Sequence, residues 1–168
     1  LLMLLPPETN DKSLAMTSSF TTMALVSLLI CNVKQLSEQK TKVEEIADFA
    51  RSILENSQKE LAEMASRDFK RAVFLGSGPL KGIAEECHLK LQELTDGEIV
   101  CKFDSFLGFR HGPKAVINKN TLLVYLCSDD EKVKPYERDL ICQINDNNKV
   151  VGQVAVAPSG LKVGVDID

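Results

Sequence analysis

From residue 71 onward the chain alternates between two patterns. Short runs are mostly apolar: Arg71–Leu75, Glu98–Phe103, Thr121–Cys127 and Val150–Ala157. Between them lie longer stretches where apolar residues recur every three or four positions, over Leu80–Thr95 and Asp129–Asn147. Apolar runs of this length predict strands buried on both faces, and the intervening spacing predicts amphipathic helices. Strand–helix alternation predicts an α/β fold, a parallel sheet in a three-layer αβα sandwich. Gly76-Ser-Gly-Pro79 reads as a turn opening a helix, Asp96-Gly97 as its end, Asp104–Gly112 as a loop and Pro113–Ile117 as a helical turn. The tail Ser159–Asp168 has room for a short extra strand.

The first 70 residues have a different rhythm. Leu1–Leu5 reads as one more buried strand, and Pro6–Lys12 as a polar loop. Asp11 or Ser13 is placed to cap a helix running to about Leu36. A second helix is predicted over Thr41–Arg67, with no Pro or Gly, a buried stripe of Ile46, Phe49, Ala50, Ile53, Leu61 and Met64, and a charged opposite side. The expected organisation is thus 1–38, a connector helix over 39–68, and a domain over 69–168.

Composition narrows the class. The 168 residues are 44% apolar and 26% charged, an ordinary globular mixture. The net charge of −4, from 20 Lys+Arg against 24 Asp+Glu, argues against a nucleic-acid partner. Met23–Cys31 is too short to span a bilayer and Leu1–Leu5 lacks the basic flank of a signal peptide, so no membrane partner is expected. Five cysteines without CxxC or Cys/His spacing suggest free thiols in a reducing cytoplasm and no metal site. The chain opens without Met, as expected of a piece of something longer.

Four stretches could carry chemistry. Gly76-Ser77-Gly78 precedes a helix N-terminus, which favours an anion, although the third glycine, Gly82, is one place late for a dinucleotide fingerprint. A tight strand-to-helix turn explains the same residues. Glu86, Lys90 and Glu93 lie at i, i+4 and i+7 of the next helix, on the shoulder of the apolar stripe Leu80, Ile83, Cys87, Leu91 and Leu94. They read either as a surface ion-pair ladder or as partly desolvated groups with tunable protonation. His111, in Phe109-Arg-His-Gly-Pro-Lys114, sits between cations that favour its neutral form, as suits a proton shuttle, or is an ordinary surface residue. His88 reads as structural. The hydroxyls of Thr17–Thr22 could bind a polar ligand or satisfy a helix start.

Taken in order, Ser13–Met23, Leu75–Glu86, Leu89–Thr95 and Asp104–Lys114 resemble the sugar isomerase (SIS) domain family. The resemblance is nearest to the branch of tagatose-6-phosphate ketose/aldose isomerases and galactosamine-6-phosphate deaminases. It implies a flavodoxin-like sheet and a long connector helix between two SIS halves. By analogy with the isomerase half of glucosamine-6-phosphate synthase, it implies that Glu93 moves a proton between C1 and C2 of an opened sugar phosphate. Lys90 would lie beside it, supported by Glu86. His111 would assist ring opening from the neighbouring subunit of a homodimer. Leu14 and Met16 would lie against the sugar, with Thr17 and Ser77 as further substrate contacts. An enediol route needs a carboxylate base and a separate acid/base but no cofactor or metal.

The family's two Ser/Thr/Gly-rich phosphate loops do not occur in this sequence. It therefore reads as the end of one SIS half, the connector and most of the second, expected to be inactive by itself. Two rivals remain at this stage: a non-catalytic phosphosugar-binding module, and a nucleotide-binding Rossmann-type domain using Gly76, Gly78 and Asp104.

Overall fold

The computed structural model describes residues 2–147 and 150–158. The expected strand at Ser159–Asp168 lies outside them. The chain divides into two compact units, Leu1–Ser66 and Arg67–Asp168.

The first unit is helical. After a 3-10 turn at Pro7–Thr9 come helices α1 (Ser18–Cys31), α2 (Leu36–Asn56) and α3 (Gln58–Ala65). Three expectations fail here, those for the strand, the long helix and its inner stripe. The run predicted as a strand forms none among its described residues. Leu2 and Leu4 are 85% and 83% exposed, and a strand needs a neighbour to pair with that this unit does not supply. The predicted helix over Thr41–Arg67 starts earlier and breaks at Ser57. That residue leaves helical geometry (φ −107°, ψ 4°), its N–H closing α2 on Ile53 O and its carbonyl opening α3 at Leu61 N. Asn and Ser favour caps over helix interiors, so this pair ends a helix without help from Gly or Pro. The boundary expected at 38/39 falls inside the continuous α2. The predicted inner stripe of α2 is largely open, with Ile46 61% and Phe49 67% exposed.

The start of α1 has a specific cause. The Asp11 carboxylate accepts hydrogen bonds from Ser18 N and Ser19 N, both at 2.9 Å, so it caps the helix from across a loop. Helical residues therefore begin at Ser18 rather than beside Asp11. No single helix among the described residues is long and apolar enough to cross a membrane; α1 and its successor would suffice only together, and they are bent by 84° at the break.

The second unit is the predicted α/β domain. Strands β1 (Arg71–Gly76), β2 (Val100–Asp104), β3 (Thr121–Leu126) and β4 (Gly152–Val156) form one sheet in the order β2-β1-β3-β4. All three pairings are parallel, with Phe74 opposite Phe103 and Val124. Strand order reverses between β1 and β3, as in a flavodoxin-like sheet. Helix α4 (Pro79–Leu94) covers one face of the sheet. His88 stacks on the Phe103 ring at 4.6 Å, and the Lys81 ammonium lies 6.0 Å from the same ring centre.

The other face carries α5 (Phe106–Arg110) and α6 (Lys134–Asn147). There Val73, Leu75, Leu123 and Tyr125 pack with Phe106, Phe109, Leu140, Ile141 and Ile144 in one buried core. The Tyr125 hydroxyl donates to Gln153 Oε1 at 2.6 Å, which satisfies it inside that layer.

Two local expectations are corrected in this unit. Asp104–Gly112 is not simply a loop but holds α5. Ser105 caps it by accepting from Gly108 N at 3.0 Å, and Phe106 and Phe109, one turn apart, enter the core. Helix α6 begins at Lys134, later than Asp129, because Pro135 lacks the N–H that an earlier start would require.

Candidate active site

Helix α4 sets the geometry of the site. Gly76 ends β1 where a Cβ would come within 2.3 Å of Leu80 O, so the strand and helix meet only through glycine. Close packing thus accounts for the first glycine of the motif without a ligand. Gly78 follows at φ +54° and Pro79 opens the helix. At the other end Asp96 and Gly97 take positive φ, and their N–H groups return to Glu93 O and Gln92 O, a Schellman closure.

The sheet-facing side of α4 is centred on the fully buried Ala84. Glu93 lies about 180° around the helix from it, at roughly 100° per residue. The ionic stripe therefore runs from the shoulder, where Lys90 lies about 120° from Ala84, to the far side at Glu93, while Ile83 and Leu94, counted in the apolar stripe, are 46% and 60% exposed. Even so, the stripe is poorly hydrated. The side chains of Glu86, Lys90 and Glu93 keep only 20%, 18% and 35% of their exposure.

Lys90 is clamped between the two carboxylates. Its Nζ donates to Glu93 Oε2 at 3.0 Å and lies 3.3 Å from Glu86 Oε1, an oxygen that is buried and accepts no well-aligned hydrogen bond. The hydrogen bond to Glu93, aided by Glu86, raises the Lys90 pKa above its ordinary value against partial desolvation. The cluster is thus a carboxylate held beside a fixed ammonium, suited to taking and returning a proton where negative charge develops.

The other predicted residues belong to other elements. Ser77 is at the opposite end of α4, whose axis carries Glu93 about 21 Å from Pro79 at roughly 1.5 Å per residue. That is longer than a hexose phosphate, so Ser77 and Glu93 of one chain cannot touch the same sugar. Leu14 and Met16, in the first unit, are 80% and 54% exposed. The Thr17 hydroxyl donates to Asp11 Oδ1 at 3.2 Å, and those of Thr21 and Thr22 donate to backbone carbonyls of α1. These hydroxyls satisfy the helix start.

His111 caps the C-terminus of α5 and its imidazole is exposed, with no hydrogen-bond partner among the described residues. Its flanking cations turn away from it onto α6. Arg110 pairs with Asp139, and Lys114 donates to Gln143 Oε1 at 2.7 Å. Because α4 and α5 cover opposite faces of the sheet, the sheet stands between Glu93 and His111 of one chain. His88 Nδ1 donates to the Glu85 backbone carbonyl and its ring packs on Phe103, a structural role.

Sequence reasoning missed Asp139 and Gln143. Their signal is a spacing of four that matches Arg110 and Lys114. It also missed Glu137, 2% exposed in α6, whose Oε2 accepts Ser128 N at 2.9 Å. Among the described residues no group of three His, Cys, Asp or Glu is placed to hold a metal.

No family model matches the chain. It is 39% identical over 153 residues to a D-galactosamine-6-phosphate deaminase AgaS of Shewanella sp. and 36% identical over 156 residues to one of Escherichia coli O157:H7. The matches take in 91% and 92% of this chain but 38% and 40% of those proteins, so it spans about two-fifths of their length. Among solved structures, a Clostridium novyi protein provisionally assigned as a tagatose-6-phosphate ketose/aldose isomerase superposes with a TM-score of 0.92 at 38% identity. That match covers 97% of this chain and 42% of the other. The tagatose-6-phosphate ketose/aldose isomerase of Escherichia coli gives 0.83 at 35%, over 95% and 43%. In sequence and fold alike, the chain is similar to about two-fifths of the AgaS deaminases and of the tagatose-6-phosphate ketose/aldose isomerases, the likeness expected from its resemblance to the sugar isomerase (SIS) family.

Proposed function

We propose that this chain contributes the proton-transfer part of a phosphosugar isomerase or deaminase acting on galactosamine 6-phosphate or tagatose 6-phosphate. The observation that carries the reading is the Glu86–Lys90–Glu93 cluster: a carboxylate and an ammonium 3.0 Å apart on the face of α4 away from its own sheet. Relatives at 36–39% identity named as deaminases of an amino-sugar phosphate supply the substrate class.

In this reading Glu93 takes the proton from C2 of the open-chain aldose and returns it to C1. Lys90 holds the carboxylate in place, with Glu86 fixing the ammonium. On an amino sugar the same shift turns the C2 amine into an imine, which water cleaves to ammonia and the ketose. His111 assists ring opening. The sheet between His111 and Glu93 of one chain favours its delivery from a second copy in a homodimer. Leu14, Met16 and Thr17 remain proposed contacts to the sugar, and Ser77 a contact outside the reach of Glu93. The five unpaired cysteines fit a cytoplasmic setting.

Glu93→Gln in the protein at its full natural length tests this. The variant keeps its circular dichroism spectrum and loses about 10²-fold or more in turnover of both sugar phosphates. Near-normal turnover would refute the assignment.

A further inference from the structure

Among the described residues the His111 imidazole has no hydrogen-bond partner of its own, so its placement depends on the backbone that carries it. That backbone is held from α6. Arg110 and Lys114 bracket the His111-Gly112-Pro113 bend, and each crosses to α6, 29 residues on in sequence, where Asp139 and Gln143 receive them. Asp139 and Gln143 are four apart, so they share one face of α6 and match the spacing of the two cations. Only 25% of the Arg110 side chain is exposed, and its Nε is buried. The guanidinium is therefore packed and directed rather than waving in solvent. Beneath these ties the buried Phe109 packs with Leu140 and Ile141 of the same helix. The bend itself uses Gly112 at φ +130°, closed by Ala115 N on Gly112 O at 2.9 Å.

We propose that Asp139 and Gln143 are positioning residues for His111, a two-point brace on α6 that fixes where the α5 loop presents the imidazole. The inference rests on the reading of His111 as the ring-opening group. The acceptor side of the brace is open, with 68% of the Asp139 side chain exposed, so these ties add little to global stability and their effect falls on the loop and on the step that uses it. A general acid/base loses efficiency steeply when displaced from its proton.

The test uses the protein at its full natural length with tagatose 6-phosphate. In Asp139→Ala/Gln143→Ala, kcat falls about tenfold while KM changes little and the unfolding midpoint is kept. NMR relaxation of the His111 ring shows lost order. In His111→Asn the double change then has no further effect, because the brace acts only through the imidazole. The swap Arg110→Asp/Asp139→Arg restores part of the turnover that Asp139→Ala removes. Unchanged ring relaxation in the double variant, or losses that simply add to those of His111→Asn, would overturn the brace. Full turnover in His111→Asn together with a loosened ring would instead overturn the role given to His111, and with it any catalytic purpose for the brace.

Discussion

At the scale of single residues, sequence spacing and side-chain geometry agree best where contacts are local. Glu86, Lys90 and Glu93 share a helix face, so their meeting follows from spacing alone. The electrostatics carry a pH signature. The folded Lys90 pKa lies above its ordinary 10.5, so the stability this ammonium contributes is complete below pH 10.5 and is lost as pH rises through the folded value. Thermal unfolding of Lys90→Met is expected to lose the part of the alkaline decline that wild type owes to this group. A wild-type profile above pH 10.5 in that variant would contradict the clamp. Asp11 shows the opposite sign: four hydrogen bonds from Ser18, Ser19 and Thr17 hold its carboxyl well below the usual range. Its contribution is present above the ordinary value and is lost only in strong acid. Gly76 makes a different demand. Gly76→Ala drives a methyl against the Leu80 carbonyl and is expected to cost about 1–3 kcal/mol in urea unfolding.

At the scale of elements, the strands of the second unit were legible because a buried parallel sheet writes itself as short, mostly apolar runs. Leu1–Leu5 has the same signature and forms no strand among its described residues, since composition does not say whether a partner is present. Helix α5 was hidden for the opposite reason. Gly108 looks like a loop residue, and five positions are too few for a helical period. What makes the element is one cap and two buried rings, so Ser105→Ala should cost about 0.5–2 kcal/mol and Phe109→Ala about 3–5 kcal/mol. Equal and negligible losses would mean that α5 is not anchored as described. The break at Ser57 escaped notice because it rests on an Asn–Ser pair, which weakens a helix only mildly. The link from α5 to α6 spans 29 residues, and only the folded chain brings its ends together.

At the scale of the whole molecule, the thiols report on packing. Burial pushes Cys127 up to about 12 and Cys101 up to about 11, whereas Cys31 is exposed. A thiol reagent at neutral pH is therefore expected to modify Cys31 first and Cys127 only on unfolding, as peptide mapping would show. The larger consequence concerns the site. A sheet with α4 on one face and α5 and α6 on the other keeps Glu93 away from the His111 of its own chain. Two copies resolve this if each supplies what the other's site lacks. Mixing is the direct measurement. Glu93→Gln and His111→Asn proteins at full natural length, each inactive alone, are combined under conditions that exchange subunits, and turnover of tagatose 6-phosphate is followed. Half of the random dimers then carry one intact site, so activity should return to about a quarter of the wild-type value. No recovery after demonstrated exchange would contradict a site built from Glu93 of one chain and His111 of the next.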